Sequence, residues 1–213
     1  MNSLIEVLLV DDHAVVREGY RRLLENAGDM AIVGEAATAA EAQRLFASLG
    51  PAVVVMDVSL PDVSGIEALR RIVARDSTAR VLMFSIHDEP VFPRHAFAAG
   101  ACGYVTKASA PDVLVDAVRT VARGERFLSA DVARELALQS LPDATRGLSS
   151  LSAREFEIAR LLALGHSVSE VADRLCLSTK TIANHQSSIR QKLGVANAAQ
   201  FLRAVARDGL VAS

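Results

Sequence analysis

The chain has 213 residues, 51% hydrophobic and 23% charged, with a formal net charge of −2; that is longer than one typical domain and ordinary for a chain that buries a core. It contains neither an apolar run long enough to cross a bilayer nor a charged-then-apolar leader, so no membrane span and no secretory signal are expected. The charge is unevenly divided, with 16 acidic against 12 basic residues over 1–124, 4 against 3 over 125–147, and 5 against 8 over 148–213, which assigns cation handling to one end and polyanion handling to the other.

From residue 4 to about 123, β-rich runs alternate with amphipathic stretches. The strand candidates are LIEVLLV, MAIVGEA, AVVVMD, RVLMFS and GYVT, and helices are expected over 14–27, 38–49, 64–75, 90–99 and 110–123. This alternation predicts an α/β fold, a doubly wound parallel five-stranded sheet covered on both faces. Thr38 with Glu41 has the spacing of a capping box, and Gly50, Gly100 and Gly124 stand where helices should stop. The segment 125–147 reads as a linker with a short helical piece over 130–139, followed by Pro142, Gly147 and serines. Beyond it no strand is expected. Residues 152–207 read as four short helices, opened by the boxes Ser152/Glu155 and Ser167/Glu170 and by a Ser178 cap, so 148–213 forms a second, smaller all-α domain. Cys102 and Cys176 lack a CxxC partner and read as free thiols in a reducing compartment, the cytoplasm.

In an open parallel sheet, functional groups gather beyond the carboxyl ends of the strands. Here the first strand ends at Asp11 and Asp12, the third at Asp57 and the fourth at Ser85, and Lys107 follows the fifth. Carboxylates about 5 Å apart at an effective dielectric near 20 repel by about 3 kcal/mol per pair. A cation is therefore expected among them, and hard oxygen ligands without a His or Cys cluster favour a divalent ion such as Mg²⁺. Lys107 and the Ser85 hydroxyl complete a set suited to moving a phosphoryl group onto a carboxylate. Taken singly, Asp12 reads as a helix cap, Asp57 as a turn residue and Lys107 as a solvated lysine; it is their compatibility at four strand ends that points to chemistry.

These residues carry a resemblance. LLVDDHAVVREG, VVVMDVSLPDVSGIEALRRI, VLMFSIHD and GYVTK resemble the receiver domain of bacterial two-component response regulators over essentially all of 4–123. The resemblance implies a flavodoxin-like receiver whose Asp57 accepts phosphate from a phosphohistidine of a cognate sensor histidine kinase. It implies a Mg²⁺ (or Mn²⁺) site made by Asp11, Asp12, Asp57 and the backbone carbonyl of Ser59, with Asp12 a direct ligand and Asp11 acting mostly through water. Ser85 and Lys107 would hold phosphoryl oxygens, and Tyr104 would turn inward when Ser85 moves. Ala108 stands where many receivers carry proline, so no cis-proline turn is assumed; Ser59 and His87 occupy positions that tune phosphoryl lifetime in such proteins. His13 reads as the usual third residue of the DDH motif, His87 as a rim residue, and His95 and His166 as surface or cap residues.

The stretch around residues 167–193 has a short helix, a tight turn at Cys176 and Leu177, and a longer helix, the arrangement of a helix-turn-helix whose second helix enters the major groove. Between Ser178 and Gly194 there are three basic residues and no acidic one. Ile182, Ile189 and Leu193 recur at helical spacing and should face the core, leaving Lys180, Asn184, Ser187 and Ser188 outward. Residues 148–207 resemble the LuxR-type DNA-binding domain. By that resemblance His185, Arg190 and Lys192 match positions that touch the phosphate backbone of double-stranded DNA. Ala183 and Ser187 stand where many relatives carry basic side chains, so base reading is expected to lean on Lys180, Thr181, Asn184 and Ser188, with Asn able to pair bidentately with adenine.

The domain order is that of the NarL/FixJ group of response regulators. The expected function is a cytoplasmic transcription regulator switched by phosphorylation of Asp57, catalysing only its own Mg-dependent phosphoryl acceptance and slow dephosphorylation. A homodimer is expected when it is phosphorylated or DNA-bound, through Phe201, Leu202 and Val205 on the last helix. Three alternatives stay open at the level of sequence, one of them a receiver that works without phosphate. An aspartyl-phosphate phosphatase would want a second acid two residues after its nucleophile, where this chain has Ser59, and a protein-docking output would not bind DNA.

Overall fold

The structure is a computed structural model that describes residues 4–138, 147–207 and 210. A parallel sheet of order β2-β1-β3-β4-β5-β6 organises the first part, with β1 Ile5–Val10, β2 Met30–Ala36, β3 Val53–Met56, β4 Val81–Ser85, β5 Gly103–Thr106 and β6 Phe127–Leu128. The helices between them are α1 Ala14–Glu25, α2 Ala39–Leu49, α3 Gly65–Arg75, α4 Val91–Ala98 and α5 Pro111–Ala122. Side chains alternate across a pleated strand, and β1 uses both faces: Val7 and Leu9 pack in the layer of α1 and α5, whereas Leu8 and Val10 pack in the layer of α2, α3 and α4. The buried strands therefore read as continuous apolar runs instead of alternating ones.

The expected five strands become six. Phe127 pairs with Gly103 and Leu128 with Tyr104, so the sheet continues into the segment expected to be linker. Helix α6, Ala130–Leu138, follows and is tied back to β5 where Thr106 Oγ1 donates to Asp131 Oδ2 at 2.6 Å. The part of the linker expectation resting on Pro142 lies outside the described residues. Gly50 ends α2 in the left-handed region at φ 57°, and Gly100 and Gly124 adopt φ 105° and 82° at the other two expected stops.

The second part has a short 3-10 turn, Leu148–Ser150, then α7 Ala153–Ala163, α8 Val168–Leu175, α9 Thr179–Leu193 and α10 Ala198–Arg207. Ser152 and Ser167 form full capping boxes with Glu155 and Glu170, and Ser178 accepts from Thr181 N–H. Cys176 ends α8 with φ 53°, the described non-glycine residue with positive φ, which turns the chain sharply into α9. The core of these helices is continuous with the α2–α4 layer of the first part, through Phe156 and Leu148.

Candidate functional site

The strand order reverses between β1 and β3, and the crevice at their carboxyl ends is where the topology leaves room for a ligand. Asp11 and Asp57 follow those two strands, and both are buried. Lys107, just after β5, extends between them, its Nζ donating to Asp11 Oδ2 and Asp57 Oδ2 at 2.6 Å each. The lysine thus sets a positive charge directly between these two carboxylates. Asp12 stands at the rim, exposed, with His13 Nδ1 at 2.8 Å. Among the described residues, Asp11, Asp12 and His13 bring their ligand atoms within 4.8 Å of one another, a set whose two carboxylates suit a hard divalent ion.

Local contacts hold this geometry. Asp11 Oδ1 accepts the His13 N–H at 2.8 Å, while Arg17 on α1 donates to the Asp11 carbonyl at 2.6 Å and to Glu35 on β2 at 2.8 Å. Asp57 Oδ1 accepts the Ser59 N–H at 3.2 Å. Burial lifts the Asp57 carboxyl above its ordinary value even against Lys107. Lys107 is itself desolvated, yet the Asp57 and Asp11 carboxylates hold its ammonium above the ordinary value, so it stays cationic.

Ser85, fully buried at the end of β4, accepts the His87 N–H on its hydroxyl at 3.2 Å. Tyr104 lies inward and fully buried, its phenol donating to the His87 carbonyl at 2.7 Å; burial pushes that phenol well above its ordinary range. His87 lies at the rim as expected, but it does more than line it. Its Nε2 lies 3.0 Å from Ser59 Oγ and its ring stacks on Phe92 of α4, centroids 4.1 Å apart. Burial, together with the Arg160 and Lys107 cations, keeps the imidazole below its ordinary pKa against Asp88, so it is neutral at neutral pH.

Phe92 in turn meets Phe156 of α7 edge-on at 5.6 Å, and His95 stacks on Phe156 at 4.0 Å. His95 corrects the expectation of a surface or cap residue: it is 3% exposed. Its Nε2 lies 3.1 Å from the Leu148 carbonyl, which can only accept, so this nitrogen carries the hydrogen. Burial, stronger than that bond, holds its pKa below the ordinary value. A run of three rings, His87, Phe92 and Phe156, therefore leads from the pocket into the first helix of the second domain, with His95 of α4 against its far member. Polar contacts accompany it: Glu157 of α7 accepts from Ser64, Arg154 donates to Glu67 of α3 at 2.9 Å, and Arg174 of α8 reaches the loop after β3. No pattern in the sequence marks these pairs.

At the other end, Ile182 and Ile189 are buried and Leu193 packs against the core, as expected, while Lys180, Asn184, Ser187 and Arg190 are exposed and Thr181 and His185 half-buried. The receiver side contacts α7 and α8 and leaves the outer face of α9 open. Two further expected DNA contacts, Ser188 and the exposed Lys192, also have a partner within their own domain. Ser188 Oγ donates to Glu155 Oε1 and Lys192 Nζ to Glu155 Oε2, both at 2.6 Å, so both side chains fasten α9 to α7. Val205 is likewise not available to a twin: it is buried in the core of its own domain and Phe201 is partly buried there, which leaves Leu202, 49% exposed.

Glu155 gathers Ser152, Ser188 and Lys192, and although it is desolvated these partners draw its pKa down to about 2. Its contribution to stability is complete above the ordinary value of 4.5 and is lost as the pH falls toward 2. Glu155→Ala is expected to destabilise the helical domain by about 2 kcal/mol, combining a lost cap box with two lost hydrogen bonds. Urea denaturation of the variant at pH 7 measures this, and a wild-type midpoint would contradict it.

Comparison with known proteins agrees with both ends. Residues 7–119 match the response regulator receiver domain, and residues 149–205 match the bacterial regulatory proteins of the luxR family. The chain is 35% identical over 209 residues to the response regulator UvrY of Escherichia coli (strain K12), covering 97% of this chain and 96% of that one. It is 35% identical over 210 residues to the response regulator GacA of Pseudomonas aeruginosa, with 98% of each covered. RcsB from Salmonella enterica serovar Typhimurium, bound to promoter rprA in the presence of phosphomimetic BeF3⁻, superposes with a TM-score of 0.78 at 26% identity over 96% of this chain and 99% of that one.

Proposed function

Since this chain belongs to the response regulators, with a receiver and a LuxR-type DNA-binding domain, we propose that Asp57 is its phosphoacceptor and that phosphorylation by a sensor histidine kinase switches its binding to double-stranded DNA in the cytoplasm. The observation that carries this reading is the Lys107 ammonium, held 2.6 Å from each of two buried carboxylates at the crevice of the sheet. A phosphoryl group on Asp57 adds about −1.5 to −2 charges there, and Lys107 is the fixed cation that meets them. Ser85 offers its hydroxyl on the β4 side, already coupled through His87 to Tyr104.

The donor set fits Mg²⁺ or Mn²⁺. Asp11, Asp12 and Asp57, with the Ser59 carbonyl, would hold the ion, which when bound neutralises phosphoryl oxygens. Beyond its own phosphoryl acceptance and slow dephosphorylation the protein performs no catalysis. On α9, Lys180, Thr181 and Asn184 near the N-terminal end face base edges, and His185, Ser187 and Arg190 the phosphates, while Ser188 and Lys192 set the angle of α9 through Glu155. One such helix makes few phosphate contacts; a homodimer through Leu202 and the apolar pocket that it shares with Leu162, Ile189 and Phe201 doubles them.

Asp57→Asn is expected to take up no label from a phosphodonor and to leave the protein folded; stoichiometric label on that variant refutes the assignment. In a gel-shift titration over salt, phosphorylated wild type bound as a dimer with about six phosphate contacts should show a log–log slope near −5. A slope near zero would turn the reading toward a protein-docking output.

A further inference from the structure

We propose that Asp131, at the start of α6, is a positioning residue for phosphoryl acceptance, acting through the Thr106 hydroxyl to hold the turn that carries Lys107. This rests on the reading of Asp57 as acceptor and makes the segment expected to be linker a part of the receiver pocket.

Lys107 leaves β5 on a turn held by its own hydrogen bonds and by one from outside. The Lys107 N–H donates to the Ser85 carbonyl at 2.7 Å, and the Ser109 N–H donates to the Thr106 carbonyl at 3.1 Å. Ala108 between them has no ring to fix φ, so the shape of the turn depends on such bonds. The outside bond comes from Thr106, which is 1% exposed. Partial burial works against the Asp131 carboxylate, yet its hydrogen bonds, that from Thr106 among them, hold it below its ordinary pKa, so it is ionised at neutral pH. An ionised carboxylate only accepts, and the Thr106 hydroxyl has one hydrogen, which it gives to Asp131 Oδ2 at 2.6 Å. The Ser109 hydroxyl, 3.0 Å from Thr106 Oγ1, is then the donor to Thr106. A relay from Ser109 through Thr106 to Asp131 therefore spans Lys107 and ends on α6.

The preceding segment fixes where that relay ends. β6 pairs with β5 at Gly103 and Tyr104, and the Ser129 N–H donates to the Tyr104 carbonyl at 3.1 Å. Asp131 stands just beyond these anchors, in register with the strand that bears Tyr104 and leads into Lys107. Lys107 Nζ lies 2.6 Å from each of Asp11 and Asp57, so slack in its turn is a loss of aim at the acceptor. Acceptance breaks the P–O bond of an acyl phosphate donor, forms a P–O bond to an Asp57 carboxylate oxygen and releases the carboxylate leaving group with the electron pair. The ammonium stabilises that transfer only if it meets the phosphoryl oxygens where their charge develops. Displacing such a group by about 1 Å costs on the order of a hundredfold in rate, and a smaller shift of the turn about tenfold.

The test uses the full chain with radiolabelled acetyl phosphate and Mg²⁺. Asp131→Ala, which leaves Thr106 without its acceptor, is expected to label about tenfold more slowly than wild type. Asp131→Asn keeps a carbonyl oxygen for that hydroxyl and should label close to the wild-type rate. Thr106→Val, similar in shape but without the hydroxyl, should match Asp131→Ala, and the double variant should be no slower than either, because both changes remove the same contact. A residue that only stabilised the fold would lower the urea midpoint and leave the labelling rate of the folded protein unchanged. A wild-type rate in Asp131→Ala, equal slowing in Asp131→Ala and Asp131→Asn, or additive slowing in the double variant overturns the assignment. Asp131 is exposed, so if the buried Thr106→Val fails to fold, the two Asp131 variants decide alone. A wild type that takes no label would instead overturn the reading of Asp57 itself.

Discussion

Gly65→Ala is expected to lose both stability and phosphoryl acceptance, although it adds a single methyl group. The new Cβ would stand 1.8 Å from the Asp57 carbonyl oxygen, 2.8 Å from its carbonyl carbon and 3.2 Å from Met56 Cγ. Two of these neighbours are backbone and cannot rotate aside, so α3 must move away from β3. Overpacking of this kind costs about 3 kcal/mol, and displacement of a reacting group by about 1 Å lowers rates on the order of a hundredfold. Gly19→Ala is the matched control, because a Cβ there meets nothing within 4 Å and alanine favours the interior of α1 by about 0.5–1 kcal/mol. Urea denaturation and acetyl phosphate labelling measure the two effects. A Gly65→Ala protein with wild-type midpoint and labelling rate would show that α3 does not abut Asp57 as described.

That expectation depends on a contact that sequence reasoning does not reach. The strands, their parallel arrangement and the helix limits were legible because each is local: β-branched runs, caps such as Ser152 with Glu155, and stops such as Gly50 all lie within a few residues of what they determine. The pocket was legible because topology gathers strand ends, so Asp11, Asp57, Ser85 and Lys107 meet without any knowledge of loop geometry. What escaped is long-range or very short. A two-residue strand, Phe127–Leu128, carries no periodicity, and its place in the sheet depends on pairing with Gly103 and Tyr104. His95 looked like a surface residue because nothing near it in sequence announces Phe156. Ser188 looked outward because helical spacing resolves a face and not a partner, and the partner that it shares with Lys192, Glu155, lies 33 and 37 positions away from the two.

Those distant pairs change how the switch is understood. Read from sequence alone, the receiver and the basic helix are two modules on a linker. In the structure Ser59, Ser85 and Tyr104 all contact His87, whose ring leads through Phe92 to Phe156. Packed interiors transmit displacement because they hold few voids, so a change at the Ser85 hydroxyl meets an aromatic path into α7 as well as the hydrogen bonds from Ser64 to Glu157. Both routes end on the first helix of the DNA-binding domain, which Glu155 fastens to the recognition helix.

Lys107→Ala should show how much the pocket depends on a positive charge. Asp11 and Asp57 are 2% and 3% exposed, and removing their shared ammonium leaves two desolvated carboxylates with no cation between them. Breaking one partner out of a buried ion pair costs about 3–5 kcal/mol, so without divalent metal the variant is expected to be destabilised by that amount at pH 7. The pH dependence has a definite sign. Asp57 already has its pKa raised by burial, and loss of Lys107 raises it further; the missing stability is therefore small below the unfolded value of Asp57 and grows as pH rises through its folded value. Urea denaturation of the variant in EDTA between pH 5 and pH 8, on the order of one unit per step, should show stability falling with pH relative to wild type. Mg²⁺ should return part of it, since an ion held by these carboxylates replaces the lost charge, and should stabilise the variant more than it stabilises wild type. Equal effects of Mg²⁺ on the two proteins would mean that the carboxylates do not share their cation between lysine and metal.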